Sequence, residues 1–164
     1  MEVIRIKYDK DEVTKTVHTS EICYKCSACS KYCPITMYVD KYNLENSFIV
    51  HLFMGMGPEE WKQCAKDVWM CSACEKCISI CPQDGDPTHV FNNLKQKSYR
   101  EGLAPDSIYG VVNALLDTAW VYMINQPVNR ARAKFGLKEI APKKEVAAEL
   151  QKLAKEAGLK RKGE

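Results

Sequence analysis

Apolar residues recur at helical spacing along most of this chain and alternate with polar ones only near its start. Val3, Ile4, Ile6 and Tyr8 have Arg5 and Lys7 between them, and Val13 and Val17 resume after the charged stretch 9–12. That pattern predicts a short β-hairpin over residues 1–17. Two strands alone are marginal, so it needs another surface to pack on. Leu44, Phe48, Leu52 and Met56 then repeat at helical spacing, with Gly55 and Gly57 as stops. Pro58-Glu59-Glu60 reads as a fresh helix start, with Trp61, Cys64, Ala65 and Val68 as its apolar face. Asp86-Pro87 opens a helix running from His89 to Arg100 and ending near Gly102.

Ala104-Pro105-Asp106 opens the next helix. Its wide stripe of Ile108, Val111, Val112, Leu115, Leu116, Ala119, Tyr122 and Met123 predicts helix until just before Pro127. Residues 125–142 are basic and are expected to be irregular. Val146, Leu150, Leu153 and Ala157 predict an amphipathic helix over 143–157, with Gly158 as its C-cap and a mobile end from Leu159 to Glu164. The expected fold is mostly α, with a possible N-terminal hairpin and a helical C-terminal extension.

Cysteine sets the chemistry. Eight of the nine cysteines fall in two copies of C-x2-C-x2-C-x3-C-P, at Cys23, Cys26, Cys29 and Cys33 and at Cys71, Cys74, Cys77 and Cys81. This is the run used by bacterial ferredoxins to hold [4Fe–4S] clusters. Three cysteines spaced by three residues wrap one face of a cube, and the fourth corner lies beyond that loop. In two-cluster proteins the fourth cysteine of each run serves the other cluster. The expectation is one cluster on Cys23, Cys26, Cys29 and Cys81, and a second on Cys71, Cys74, Cys77 and Cys33. Pro34 and Pro82, each after a distal cysteine, would turn the chain away.

Two other readings stay open on the residues alone. Each run could hold its own cluster, or the cysteines could bind zinc, although zinc prefers paired C-x2-C knuckles with four ligands per ion. Full cysteine ligation leaves no open iron corner, so electron transfer is expected and no catalytic residue is. Lys25 and Lys31 flank the first run without an acid, whereas the second holds Glu75 beside Lys76. Positive surroundings stabilise the reduced cluster, so the cluster on Cys23 is expected to have the higher potential. Cys64 is expected to be a small buried hydrophobe. His18, His51 and His89 are expected to be packing or surface groups, and Trp61, Trp69 and Trp120 core or interface anchors.

Charge changes the picture at one end only. The net charge of +3 divides into 13 basic and 16 acidic residues over 1–124, against 11 and 5 over 125–164. A basic tail of this kind more often solvates a helix or docks a protein than binds nucleic acid or lipid. The start lacks the apolar core of a secretory signal, which points to the cytoplasm and to thiols held by metal. The stretch Ile108–Ile124 is short for a membrane span and carries Asp117. No nucleotide loop or hydrolase elbow is present.

The two runs, with a helical link of 37 residues between them, resemble the α-helical ferredoxin domain. That domain occurs in the iron–sulfur subunits of succinate dehydrogenase, fumarate reductase and anaerobic glycerol-3-phosphate dehydrogenase, and in the C subunits of heterodisulfide reductases. The segment Val68-Trp69-Met70-Cys71-Ser72-Ala73-Cys74-Glu75-Lys76-Cys77 most resembles the last family, including the related complexes of sulfur oxidisers. The resemblance implies two [4Fe–4S] clusters and a relay of electrons between a flavin-containing protein of the complex and its cysteine-rich catalytic component. The metabolism it implies is that of thiols, disulfides or sulfur. The cluster motifs that carry it cover residues 18–100, and the expected division of the chain is an N-terminal strand or hairpin segment 1–17, a two-cluster domain 18–102 and a helical extension 103–164 for partner docking. The alternatives are the iron–sulfur subunit of a quinone-linked dehydrogenase, and a redox-silent iron–sulfur structural module.

Overall fold

The computed structural model describes residues 21–42, 49, 57–122, 125–159 and 161. Among them every regular element is helical, in line with the mostly α expectation. The helices are α1 (Ala28–Lys31), α2 (Pro58–Cys64), α3 (Lys76–Ser79), α4 (Pro87–Arg100), α5 (Asp106–Thr118), α6 (Gln126–Lys134) and α7 (Lys144–Glu156). Tighter 3-10 turns lie at Pro34–Met37, Asp40–Tyr42 and Asp67–Met70. The hairpin expected over 1–17 falls outside the described residues, as does all but Ile49 of the helix expected around Leu44–Met56.

The chain forms two compact units, Met1–Ala104 and Pro105–Glu164. The first has a core of Tyr42, Ile49, Trp61, Cys64, Ala65, Val68, Val90, Phe91 and Leu94. Trp61, Cys64, Ala65 and Val68 thus point inward as their spacing predicted. The α2 helix ends at Cys64, however, and Val68 belongs to the 3-10 turn that follows. Pro58 opens α2, and the Gly57 N–H donates to the Glu60 carboxylate at 3.1 Å. Trp61 Nε1 donates to Glu101 at 2.5 Å, and Lys97 pairs with the same carboxylate while lying over the Trp61 ring. Cys64 is buried, its Sγ 3.6 Å from the Trp61 carbonyl.

The longest helix of this unit is α4. The Asp86 carboxylate accepts from the His89 N–H at 2.9 Å, satisfying one of the donors a helix start leaves open. At the far end Gly102 takes φ 75 and the Leu103 N–H reaches back to the Ser98 carbonyl at 2.9 Å. A side chain resists that left-handed turn, so glycine marks the stop. Gly136 and Gly158 end α6 and α7 in the same way.

In the second unit α5 packs on α7. Among its described residues few are buried: Tyr109, Leu116 and Ala147. Gln151 Nε2 adds a hydrogen bond to the Leu116 carbonyl at 2.8 Å. Three expectations are corrected here. First, α5 ends at Thr118 instead of running to residue 124. Thr118 Oγ1 donates to the Ala114 carbonyl at 2.7 Å and accepts from the Trp120 N–H at 3.2 Å, and Ala119 turns left-handed at φ 59.

Second, the basic stretch 125–142 is not irregular throughout. Asn125 caps α6 by accepting from the Val128 N–H at 3.0 Å, with Pro127 in the first turn. Asn129 then ties α6 to the segment that follows it, exchanging two 3.0 Å hydrogen bonds with the backbone of Ile140. Third, Val146 and Leu153 do not face inward. They are 43% and 59% exposed, because Ala147 and its helical neighbours form the packed face of α7. Among the described residues no helix is long and apolar enough to cross a membrane.

Candidate metal centre

The two cysteine runs lie 48 residues apart in sequence and adopt one backbone conformation twice. Lys25 and Ser27 have φ of 57° and 58°, and their counterparts Ala73 and Glu75 have 52° and 60°. Side-chain-bearing residues in the left-handed region cost about 1–3 kcal/mol each and persist only where the surroundings hold them. In each copy the second of these residues caps a one-turn helix, α1 or α3, that carries the third cysteine of its run. Alternating conformations of this sort turn backbone N–H groups inward toward an anion. The Lys25 N–H points at Cys23 Sγ at 3.4 Å, and the Gly85 N–H at Cys81 Sγ at 3.2 Å.

The α1 and α3 helices pack against each other. Their contact brings the distal cysteine of each run round to the other run. One cavity is lined by Cys23, Cys26, Cys29 and Cys81, together with Ile22, Pro82 and Pro87. A second is lined by Cys33, Cys71, Cys74 and Cys77, together with Tyr42, Thr88 and Phe91. The two are matched in size, at about 420 and 370 Å³ of space open in part to solvent. All eight motif cysteines are therefore gathered into two sets of four, each drawing three from one run and one from the other.

One face of α4 runs along the second cavity. Thr88 Oγ1 lies 3.4 Å from Cys77 Sγ. One turn on, the Phe91 ring packs on Tyr42 at 5.7 Å between centroids. The next turn brings Lys95 Nζ to the Cys71 carbonyl at 2.6 Å, and Ser98 then accepts from Trp69 Nε1 at 3.2 Å. The spacing of 88, 91, 95 and 98 is that of a single helix face. Tyr42 donates to the Asp67 carbonyl at 2.7 Å. Burial, reinforced by the neighbouring thiols of Cys71 and Cys33, pushes its phenol well above the ordinary range and keeps it a neutral donor.

The cavities are hostile to free thiolates. Burial pushes the Cys29 thiol up to about 11, and repulsion from Cys77, Cys23 and Cys26 adds to it. Burial likewise raises Cys33 and Cys77, opposed at Cys77 by the hydrogen bond from Thr88. Thiols whose charged forms are disfavoured by partial burial and by neighbouring thiols, as at Cys29, Cys33 and Cys77, are relieved by a cationic group among them, since the metal ligand is the thiolate. The geometry also bears on which group fits. Zinc with bonds of about 2.3 Å needs its sulfurs about 3.8 Å apart. Among the described residues no three Cys, His, Asp or Glu side chains close on a single ion. Each set of four surrounds a space instead, which suits a polynuclear group.

Of the remaining candidates, Cys64 stands apart from both cavities in the core, and Trp61 is buried with it. His89 serves α4 through its backbone N–H. His18 and His51 lie outside the described residues. Thr88, Lys95 and Tyr42 belong to no cysteine motif, and the spacing of the chain does not single them out. The periodicity announces α4 but not the face it turns to the cysteines.

No family model matches the chain. It is 28% identical over 143 residues to a protein of Archaeoglobus profundus named as like the C subunit of heterodisulfide reductase, covering 84% of this chain and 72% of that protein. It is 24% identical over 133 residues to the C2 subunit of the H2/formate:CoB-CoM heterodisulfide,ferredoxin reductase of Methanococcus maripaludis, covering 78% and 67%. The chain is a homologue of heterodisulfide reductase C subunits. The similarity extends over most of the chain, so it takes in more than the cysteine runs. These relatives are by name parts of a larger reductase, which accords with a chain whose chemistry-bearing residues are thiols and not acid–base groups.

Proposed function

We propose that this chain is the electron-relay subunit of a heterodisulfide reductase or a related complex. Cys23, Cys26, Cys29 and Cys81 would hold one [4Fe–4S] cluster, and Cys71, Cys74, Cys77 and Cys33 a second. The crossed lining of the two cavities carries this reading, because neither run alone surrounds either space. Such clusters supply one-electron storage at saturated irons, with no open corner for substrate. The chain's own residues fix the ligands in place. The left-handed residues aim the first two thiols of each run, α1 and α3 hold the third, and Pro34 and Pro82 turn the backbone away after the fourth.

The contact of α1 with α3 sets Cys29 near Cys77, a neighbourhood their mutual repulsion registers. Electrons would cross there. The unit Pro105–Glu164 would dock to two proteins of the complex, one containing flavin and the other catalytic and rich in cysteine. The setting would be thiol/disulfide or sulfur metabolism in the cytoplasm.

Resolved redox and EPR titrations of single cysteine variants test the ligation. Cys81→Ser and Cys23→Ser should perturb one and the same cluster, and Cys33→Ser and Cys71→Ser the other. If Cys81→Ser perturbs the cluster that Cys71→Ser perturbs, ligation stays within each run and the crossed assignment fails. A chain ending at Ala104 should keep both clusters and lose copurification with the flavin-containing and catalytic proteins. An intact complex would refute the docking role.

A further inference from the structure

We propose that Lys95 is the positioning residue that sets the order of the two cluster potentials, by raising that of the cluster on Cys71. This rests on the two-cluster reading above and goes beyond it. The charges within the runs favour the opposite order, since Lys25 and Lys31 flank the first run. Both of those lysines are exposed, where water and salt screen a charge within about 8 Å. At the rim of the second cavity Glu75 and Lys76 are also exposed and opposite in sign. Among the described residues none of these four side chains is hydrogen-bonded to a cysteine, although the backbone N–H of Lys25 points at Cys23 Sγ.

Lys95 is different. It is half-buried. Its ammonium donates to the Cys71 carbonyl at 2.6 Å and lies 6.0 Å from the centroid of the Trp69 ring. Trp69 is in turn fixed by its hydrogen bond to Ser98, which donates to the Ala65 carbonyl at 2.9 Å in the core. The half-buried cation is thus bound to the backbone of a proposed cluster ligand, Cys71, which lines the second cavity. A charge placed there is screened less than one in water. Reduction adds an electron to the cluster, and a fixed positive charge beside it stabilises the added negative charge. Among the described residues no other lysine ammonium is hydrogen-bonded to the backbone of a motif cysteine.

The test is a redox titration of the full chain carrying both clusters, with total iron and sulfide measured beforehand. About eight iron per chain are expected if two cubes are present, and a lower content in the unsubstituted chain faults that reading and not Lys95. Lys95→Gln keeps a donor for the Cys71 carbonyl and removes the charge. Lys95→Met keeps the length and removes both. Each should lower one midpoint only, the one that Cys71→Ser also perturbs, and Lys95→Arg should restore it. Lys25→Met with Lys31→Met should move the other midpoint less. The proposal is overturned if both midpoints stay in place, if both move equally, or if Lys95→Arg shifts the midpoint as far as Lys95→Gln does. Loss of a cluster in all three Lys95 variants would also overturn it, since the residue would then be a strut and not a charge.

Discussion

The two units of this chain solve the problem of a small core differently. In Met1–Ala104 the helices that carry motif cysteines, α1 and α3, are single turns, with the longer α4 beside them. Several residues stand in left-handed conformations, and the half-buried thiols of Cys29, Cys33 and Cys77 are raised by burial and by neighbouring thiols. Polypeptide packing alone does not favour such an arrangement, apart from the core around Tyr42, Trp61 and Phe91. In Pro105–Glu164 the helices span 9 to 13 residues, α6 is capped by Asn125, and the left-handed residues described are Ala119 and the terminal glycines Gly136 and Gly158. Yet only Tyr109, Leu116 and Ala147 are buried among its described residues, and Val111, Val121, Tyr122, Phe135 and Leu153 are exposed. The lesson is that apolar periodicity and stability are separate things. The unit with the cleaner helices has the thinner core, and the unit with the broken backbone has groups that a metal can hold.

Chelation of iron is the harshest way to break that comparison. Because the proposed ligands come crosswise from both runs, metal binding free energy is folding free energy for the first unit. Hydrogen exchange of the stripped full chain should show protection lost across 21–104 and retained in α5 and α7. Equal loss in both units would mean that the second depends on the first. Core substitutions should separate the units next. Phe91→Ala, which empties a packed site beside the second cavity, should cost about 3–5 kcal/mol in denaturant unfolding of the metal-loaded chain. Leu116→Ala in the second unit should fall near the low end of its class, about 2 kcal/mol, since its half-buried neighbours can close on the gap. A larger loss for Leu116 than for Phe91 would reverse the ranking of the cores. The mildest probe is the helix cap. Asp86→Ala and Asn125→Ala each remove one acceptor at a helix start and should cost about 1 kcal/mol. The same chevron or melt that reads the core variants can read these two, and unequal losses would show that one helix is braced by more than its cap.

Several elements are legible in the residues alone. Pro58 and Asp86-Pro87 mark helix starts, Gly102 and Gly158 mark stops, and the inward face of Trp61, Cys64, Ala65 and Val68 follows from spacing. These signals are local, each depending on hydrogen bonds within about one turn. The departures from expectation share a cause as well. Apolar residues from Ile108 to Met123 look continuous, but the Thr118 hydroxyl ends α5 through two hydrogen bonds that hydropathy does not record. The cap Asn125 with Pro127 is a local signal hidden amid the basic charge of α6. Val146 and Leu153 keep helical spacing, but α5 contacts a different face.

By itself, then, the sequence determined the chemical character of this protein. Eight cysteines at fixed spacing define two thiol sets, and the reach of a three-residue loop makes the fourth cysteine of each run the odd one out. The sequence also led to the expectation that helices, not strands, join the runs, and the described regular elements of the link, α2 and three 3-10 turns, are helical. Tertiary structure decided the rest. Only the packing of α1 on α3 brings Cys81 to Cys23 and Cys33 to Cys71, and only the rotation of α4 about its axis turns Thr88 and Phe91 to the second cavity and Lys95 to the Cys71 carbonyl. Both depend on contacts between residues far apart in the chain, and local spacing carries no record of those.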